Sequence, residues 1–137
     1  SRFFLFSILL FPFLLSAQIQ DVKIRSCIEQ YFKLNRAGPE LVCIDMFDHP
    51  EFGCTIKIKI LARRTQSGQD LLFAFAAAAA VANLAEHHID LLWVEMDINF
   101  KELETTMALA PADCTIDAII LGNCKTEKWW NDCLQFP

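Results

Sequence analysis

Apolar positions along this 137-residue chain change period several times, and each change predicts an element. Over residues 22–34, Val22, Ile24, Cys27, Ile28, Tyr31, Phe32 and Leu34 recur mostly at three- and four-residue spacing with charges between them, the pattern of an amphipathic helix. Ala37, Gly38 and Pro39 end it, because Gly suits the position after a helix and Pro cannot continue one. A strand is expected over residues 41–47. Residues 54–61 alternate Cys54, Ile56, Ile58 and Ile60 against Thr55, Lys57 and Lys59, a period of two that belongs to a strand with one wet face. The two strands are expected to form a hairpin around Phe47, Asp48, His49 and Pro50.

Ser67, Gly68, Gln69 and Asp70 resemble a capping box, in which the hydroxyl and the acid three places on satisfy free N–H groups at a helix start. The helix is expected over residues 69–88. It runs through five consecutive alanines at 76–80 and is apolar on nearly all sides, which suits a central buried helix lying close against a sheet. Its apolar stretch, residues 71–82, is too short to cross a bilayer. Leu92, Val94, Met96, Ile98 and Phe100 then alternate with Trp93, Glu95, Asp97 and Asn99, the clearest strand of the chain. Leu103, Thr105, Met107 and Leu109 continue the period after Lys101 and Glu102, so a second hairpin is expected, closed by Pro111. The tail reads as a short helix over 115–121, broken at Gly122 and Asn123, and a last one over 126–134 with Trp130 and Leu134 on one face.

Together these elements predict an α+β domain in the order α-β-β-α-β-β-α, a four-stranded antiparallel sheet of two hairpins with helices packed on one face. The order is similar to that of secretion-chaperone-like and TATA-binding-protein-like folds; the likeness is topological, carries no motif and implies no activity. Residues 41–46 (LVCIDM) echo residues 91–96 (LLWVEM), which suggests a helix-strand-strand unit used twice.

The first residues follow other rules. Residues 3–15 are an apolar run interrupted only by Ser7 and Pro12, preceded by Arg2 and followed by Ser16, Ala17 and Gln18. Charged, greasy, then small is the order of a secretory signal, with cleavage expected after Ala17. Because the first residue is Ser and not Met, the charged region is expected to be incomplete. A buried helix fits less well, since Pro12 and a Phe-rich run make a poor core helix. An uncleaved anchor needs about 17–25 apolar residues, more than the run supplies. A lipid anchor needs Cys where Gln18 stands. The expected product is a single soluble domain of residues 18–137, secreted or periplasmic, touching a membrane only if residues 1–17 are retained.

Composition narrows the class. A chain 54% hydrophobic and 21% charged with 4 Gly and 5 Pro is globular. Net charge −5 and no basic cluster larger than Arg63 and Arg64 exclude nucleic acid as the expected partner. Cys27, Cys43, Cys54, Cys114, Cys124 and Cys133 all follow the expected cut, an even number that permits up to three disulfides in an oxidising compartment. A turn of residues 47–50 would set Cys43 opposite Cys54, so that pair is the candidate bridge. A competing register pairs Ile44 with Ile56 and moves Cys43 to the other face. Zinc would require Cys closer together than the eight to ten residues separating the nearest pairs here. Unbridged thiols behaving as small hydrophobes are the plain alternative.

No constellation commits to a reaction, so the catalytic residues are unknown and no metal or cofactor is expected. His87 and His88, with Glu86 and Asp90 beside them, are the nearest thing to ligands, yet adjacent helical residues point about 100° apart and an imidazolium at a helix C-terminus already suits the dipole. Asp45, Asp48, His49 and Glu51 surround the first turn, but His49-Pro50 sits where a calcium loop needs a tight glycine turn. Glu95 and Asp97 share a strand face and form the remaining acid/base candidate. Phosphate-loop, dinucleotide, nucleophile-elbow and Cys-x-x-Cys motifs are absent. Trp93, Trp129 and Trp130 are the candidate partner contacts, since exposed large aromatics anchor interfaces. The function expected is a non-enzymatic module that binds another protein or itself, the alternative a small extracytoplasmic metal-dependent or acid/base enzyme built on His87 and His88.

Overall fold

The computed structural model describes residues 18–99 and 102–137; the candidate signal and its cut at Ala17 lie outside them. Helix α1 (Asp21–Leu34) buries Ile24, Ile28 and Phe32, a stripe at four-residue spacing whose opposite side carries the charges. Strands β1 (Glu40–His49) and β2 (Gly53–Ala62) follow as a hairpin. A short 3-10 turn, Arg64–Gln66, leads into α2 (Ser67–Leu84), and then come β3 (Leu91–Asn99) and β4 (Leu103–Pro111). The tail is α3 (Ala112–Thr115), a π-helical turn Ile116–Ile120, and α4 (Thr126–Asp132). The order is the expected α-β-β-α-β-β-α.

The sheet runs β1-β2-β3-β4, and it is mixed where an all-antiparallel sheet was expected. Both hairpins are antiparallel, but β2 and β3 are parallel neighbours. The cause is α2: as a crossover helix it carries the chain back along the sheet, so β3 starts level with β2. In consequence β1 and β3 run in opposite directions, β1 at an edge and β3 inside, and the echoing segments occupy unlike places.

Ile44, Ile56, Ile58, Ile60, Leu92, Val94, Ala108 and Ala110 cover the inner face of the sheet. Against them α2 buries Leu71, Phe75 and Val81 with Ala74, Ala77, Ala78, Ala79 and Ala82. Where the helix presents alanine only a Cβ intervenes, so it can approach its neighbours closely, and close packing is what the core rewards. The segment Arg64–Leu84 is long and apolar enough to span a membrane by length and composition, but here it is the core helix, packed on β2, β3 and α1.

Both ends of α2 depart from the sequence reading. No side chain caps its start; the expected Ser67 to Asp70 box is replaced by Asp70, 1% exposed, accepting hydrogen bonds from the Arg63 N–H at 2.8 Å and from the Arg63 guanidinium. A guanidinium offers a charge-assisted bond stronger than that of a neutral N–H, and it wins. At the far end the helix stops at Leu84, because Ala85 turns extended and Ile19 docks beside it: Ile19 N–H donates to Leu84 O and Glu86 N–H to Ile19 O, both at 2.7 Å. His87 and His88 therefore stand in a loop, beyond any helix terminus.

The first hairpin turns at residues 50–52. His49 Nδ1 accepts the Glu51 N–H at 3.0 Å and the Phe52 N–H at 3.3 Å, and Gly53 takes φ +91°. A Cβ on Gly53 would also come within 2.9 Å of Asp90 Cγ, whose carboxylate accepts the Cys54 N–H at 2.9 Å. Ile44 lies opposite Ile58 and Met46 opposite Ile56, neither of the two registers considered from sequence. Cys43 faces Lys59 and Cys54 faces Asp48, so the two thiols point to opposite faces and the expected Cys43–Cys54 bridge is not made. Its place is taken by Cys114–Cys133, with Cα atoms 6.5 Å apart, which ties α3 to the end of α4.

Beside that bridge Trp129 is fully buried, its ring 5.3 Å from Phe75 and its Nε1–H donating to Thr115 Oγ1 at 2.9 Å. Thr115 in turn donates to Pro111 O. Trp129 is thus a core anchor and not a partner contact. The sequence reading put Trp130 and Leu134 on one face; Leu134 is buried, and Trp130 is half-buried against Trp129 and Phe136. Gln135 then pairs with Leu109, their N–H and C=O groups bonded both ways at 2.8 Å.

Candidate functional site

Alternation leaves the second face of the sheet to polar and aromatic side chains. Lys57 and Lys59 of β2 stand beside Trp93 and Glu95 of β3, and β4 sets Met107 and Thr105 beside Glu95 and Asp97. Lys57 Nζ lies 3.6 Å from Glu95 Oε1, and Lys59 Nζ lies 3.2 Å from Glu95 Oε2 and 3.4 Å from Asp97 Oδ2. Thr105 Oγ1–H donates to Asp97 Oδ1 at 2.7 Å. The hydrogen bond with Glu95, then the charge of Asp97, hold the Lys59 ammonium above its ordinary range. Glu95 and Asp97 do share one face as expected, but both are committed to ammonium partners.

Trp93 closes one end of this ladder. Its ring has the Lys57 ammonium 4.6 Å above it, Phe47 at 6.0 Å and His49 at 6.5 Å. A cation over an indole face is an attractive contact, strongest when the surroundings exclude water. The half-buried ring hides its Nε1–H from solvent, and no acceptor among the described residues meets it. A sealed, unpaired donor of this kind costs about 1–3 kcal/mol. Phe47 and His49 were not legible as neighbours of Trp93, because the turn had been placed on top of them.

The two histidines are elsewhere. His87 Nδ1 is 2.9 Å from Asp21 Oδ2; His88 Nε2 is 3.5 Å from Asp90 Oδ1 and 3.6 Å from Asp113 Oδ2. They sit at the end of the sheet where β3 begins. From Asp90 to Glu95 is five residues of extended chain, about 16 Å, so His87 and His88 do not converge with Glu95 or Asp97. Among the described residues no three His, Cys, Asp or Glu side chains gather as a metal site would need.

Close to the same end, the Cys54 thiol is pushed above its ordinary value of 9.0 by burial first and then by Asp48, Asp21 and Asp90. Less thiolate means slower alkylation. Cys54 is expected to react with iodoacetamide at pH 8 about tenfold more slowly than the exposed Cys43, as peptide mapping of timed samples will read; equal rates would remove the burial argument. Because the folded thiol titrates above the unfolded one, its contribution to stability is complete below the ordinary value and is lost as pH rises through the folded value.

A concave site was also missed. Between the α1–β1 loop and the start of α2 lies a cavity of about 540 Å³ lined by Asn35, Arg36, Ala37, Gly38, Arg63, Gln66, Gln69, Asp70 and Phe73. Arg63 crosses it, bonding Asp70 through Nε and Nη2 and Ala37 O through Nη2 at 2.8 Å. The available signal was an Arg and an Asp seven residues apart around a turn, which the capping-box reading of Asp70 absorbed. Set beside known protein families, curated proteins and solved structures, the chain matches no family, no curated protein and no solved structure.

Proposed function

We propose that the protein is an exported, non-enzymatic module whose solvated sheet face, centred on Trp93, binds another protein. The observation that carries this reading is the indole N–H of Trp93, unpaired among the described residues and set among Phe47, His49 and Lys57. A folded domain gains nothing from leaving that donor unsatisfied. A partner backbone carbonyl entering as Lys57 swings aside would pair it, and the aromatic surroundings would supply the desolvated centre that interface anchors need. Export is supported by the charged, apolar, small order of residues 1–17 and by the Cys114–Cys133 bridge, since disulfides persist in oxidising compartments. The location proposed with it is secreted or periplasmic, with membrane contact only if residues 1–17 are retained. Net charge −5 argues against nucleic acid.

The test is a photoreactive side chain at Met107, 37% exposed and next to Glu95 on this face, with a control at the exposed Glu29 of α1. Irradiation in the producing cell is expected to give one discrete adduct from Met107 and none from Glu29. An adduct of twice the chain mass assigns the face to self-association. No adduct from Met107, or the same adducts from both positions, overturns the proposal.

A further inference from the structure

We infer that the cavity between the α1–β1 loop and α2 is a binding site for a small organic anion, a carboxylate or phosphate group carried on an apolar body. The inference goes beyond the protein contact proposed above and does not depend on it.

Arg63 is the first reason. Asp70 is 1% exposed, and a buried carboxylate is a costly way to hold a surface arginine. What the arrangement achieves is orientation: Nε and Nη2 are fixed by Asp70 and Ala37 O, while Nη1 makes no hydrogen bond among the described residues. A guanidinium anchored on one side and free on the other is preorganised for an oxyanion, because its ordering cost is already met. The second reason is Arg36, which lines the same cavity and has no side-chain hydrogen bond or ion pair among the described residues. Two guanidinium groups against the single carboxylate of Asp70 leave one net positive charge in a chain of net charge −5.

The third reason is size and wall chemistry. A cavity of about 540 Å³ falls in the ~300–1,000 Å³ range of small-molecule sites and is far larger than a bare inorganic ion needs. Phe73 gives it an apolar wall. The loop reaches that wall only through Gly38, where a Cβ would come within 2.7 Å of Phe73 Cζ. Gln66, Gln69 and Asn35 line it as well, the Asn35 amide donating to Tyr31 O at 2.8 Å. Two guanidinium groups, amides and an aromatic side chain in one lining suit an anionic head on an apolar body better than either part alone.

Titration of the protein with benzoate, phenyl phosphate and acetate, followed by amide chemical shifts, tests this. Benzoate or phenyl phosphate is expected to saturate with shifts at Gly38 and Gln69, with acetate about tenfold weaker. Whichever of the first two binds tighter names the head group. Arg36→Gln, which touches neither Asp70 nor the core, is expected to weaken binding about tenfold at unchanged melting temperature. No saturation by either aromatic anion up to about 10 mM, acetate binding as well as benzoate, or undiminished binding by Arg36→Gln would each overturn the assignment.

Discussion

Trp129→Ala is expected to destabilise the protein by about 3–5 kcal/mol and to lower its melting temperature by roughly 10–20 °C. The indole is fully buried, packs on Phe75 of α2 and is held by Thr115 of α3, so its removal opens a cavity where three helices meet. Collapse around that cavity is limited, because Thr115 is itself tied to Pro111 O and the Cys114–Cys133 bridge fixes the flanking chain. Trp130→Ala, at a half-buried ring in contact with Phe136, is expected to cost less than half as much. Thermal unfolding of the two variants side by side checks the assignment. Equal effects, or the reverse order, would mean that Trp129 is not the anchor of the tail.

The second large effect belongs to the disulfide. Six Cys with one bridge leave four thiols, so the unfolded, unreduced protein should gain four alkyl groups and the reduced protein six. Intact mass reads both numbers, and in material exported by a bacterial host it also tells whether the chain starts at Gln18. Six groups without reduction would remove the bridge; none would mean two further bridges. Substituting Ser for both Cys114 and Cys133 should cost about 3 kcal/mol, the loop-closure value for cysteines 19 residues apart. Because the bridge and Trp129 join the same two elements, combining the losses should not be additive.

The strands were legible because each buries only one side. Ile56, Ile58 and Ile60 against Lys57 and Lys59 states a sheet with a wet face, and the structure has both faces where the alternation puts them. The pairing of strands is a different matter, since periodicity records which face is buried and not which neighbour lies alongside. Still, a strand, a long helix and another strand in succession favour a parallel crossover, and that signal was in the chain. Register at the first turn was recoverable from Gly53, the residue suited to positive φ after a three-residue turn, and taking residues 47–50 as the turn lost it. The end of α2 was not recoverable locally, because it is set by Ile19, more than sixty residues away. The sheet-face site was half legible: Trp93, Glu95 and Asp97 share a face by parity alone, whereas Phe47 and His49 join them only through the observed register. The Arg63 cavity depends on three segments meeting, and no spacing in one of them announces it.

The buried alanines of α2 bear on how this sequence is free to drift. Ala74, Ala77, Ala78 and Ala79 are buried in a helix packed on β2, β3, α1 and the π-helical turn, so each meets its neighbours through a single methyl group. Substitution there is bounded from above by volume: a larger side chain pushes the helix off its neighbours and costs about 1–3 kcal/mol, although hydropathy would improve. The stretch that looks simplest in composition is therefore the one where a larger apolar residue is least tolerated.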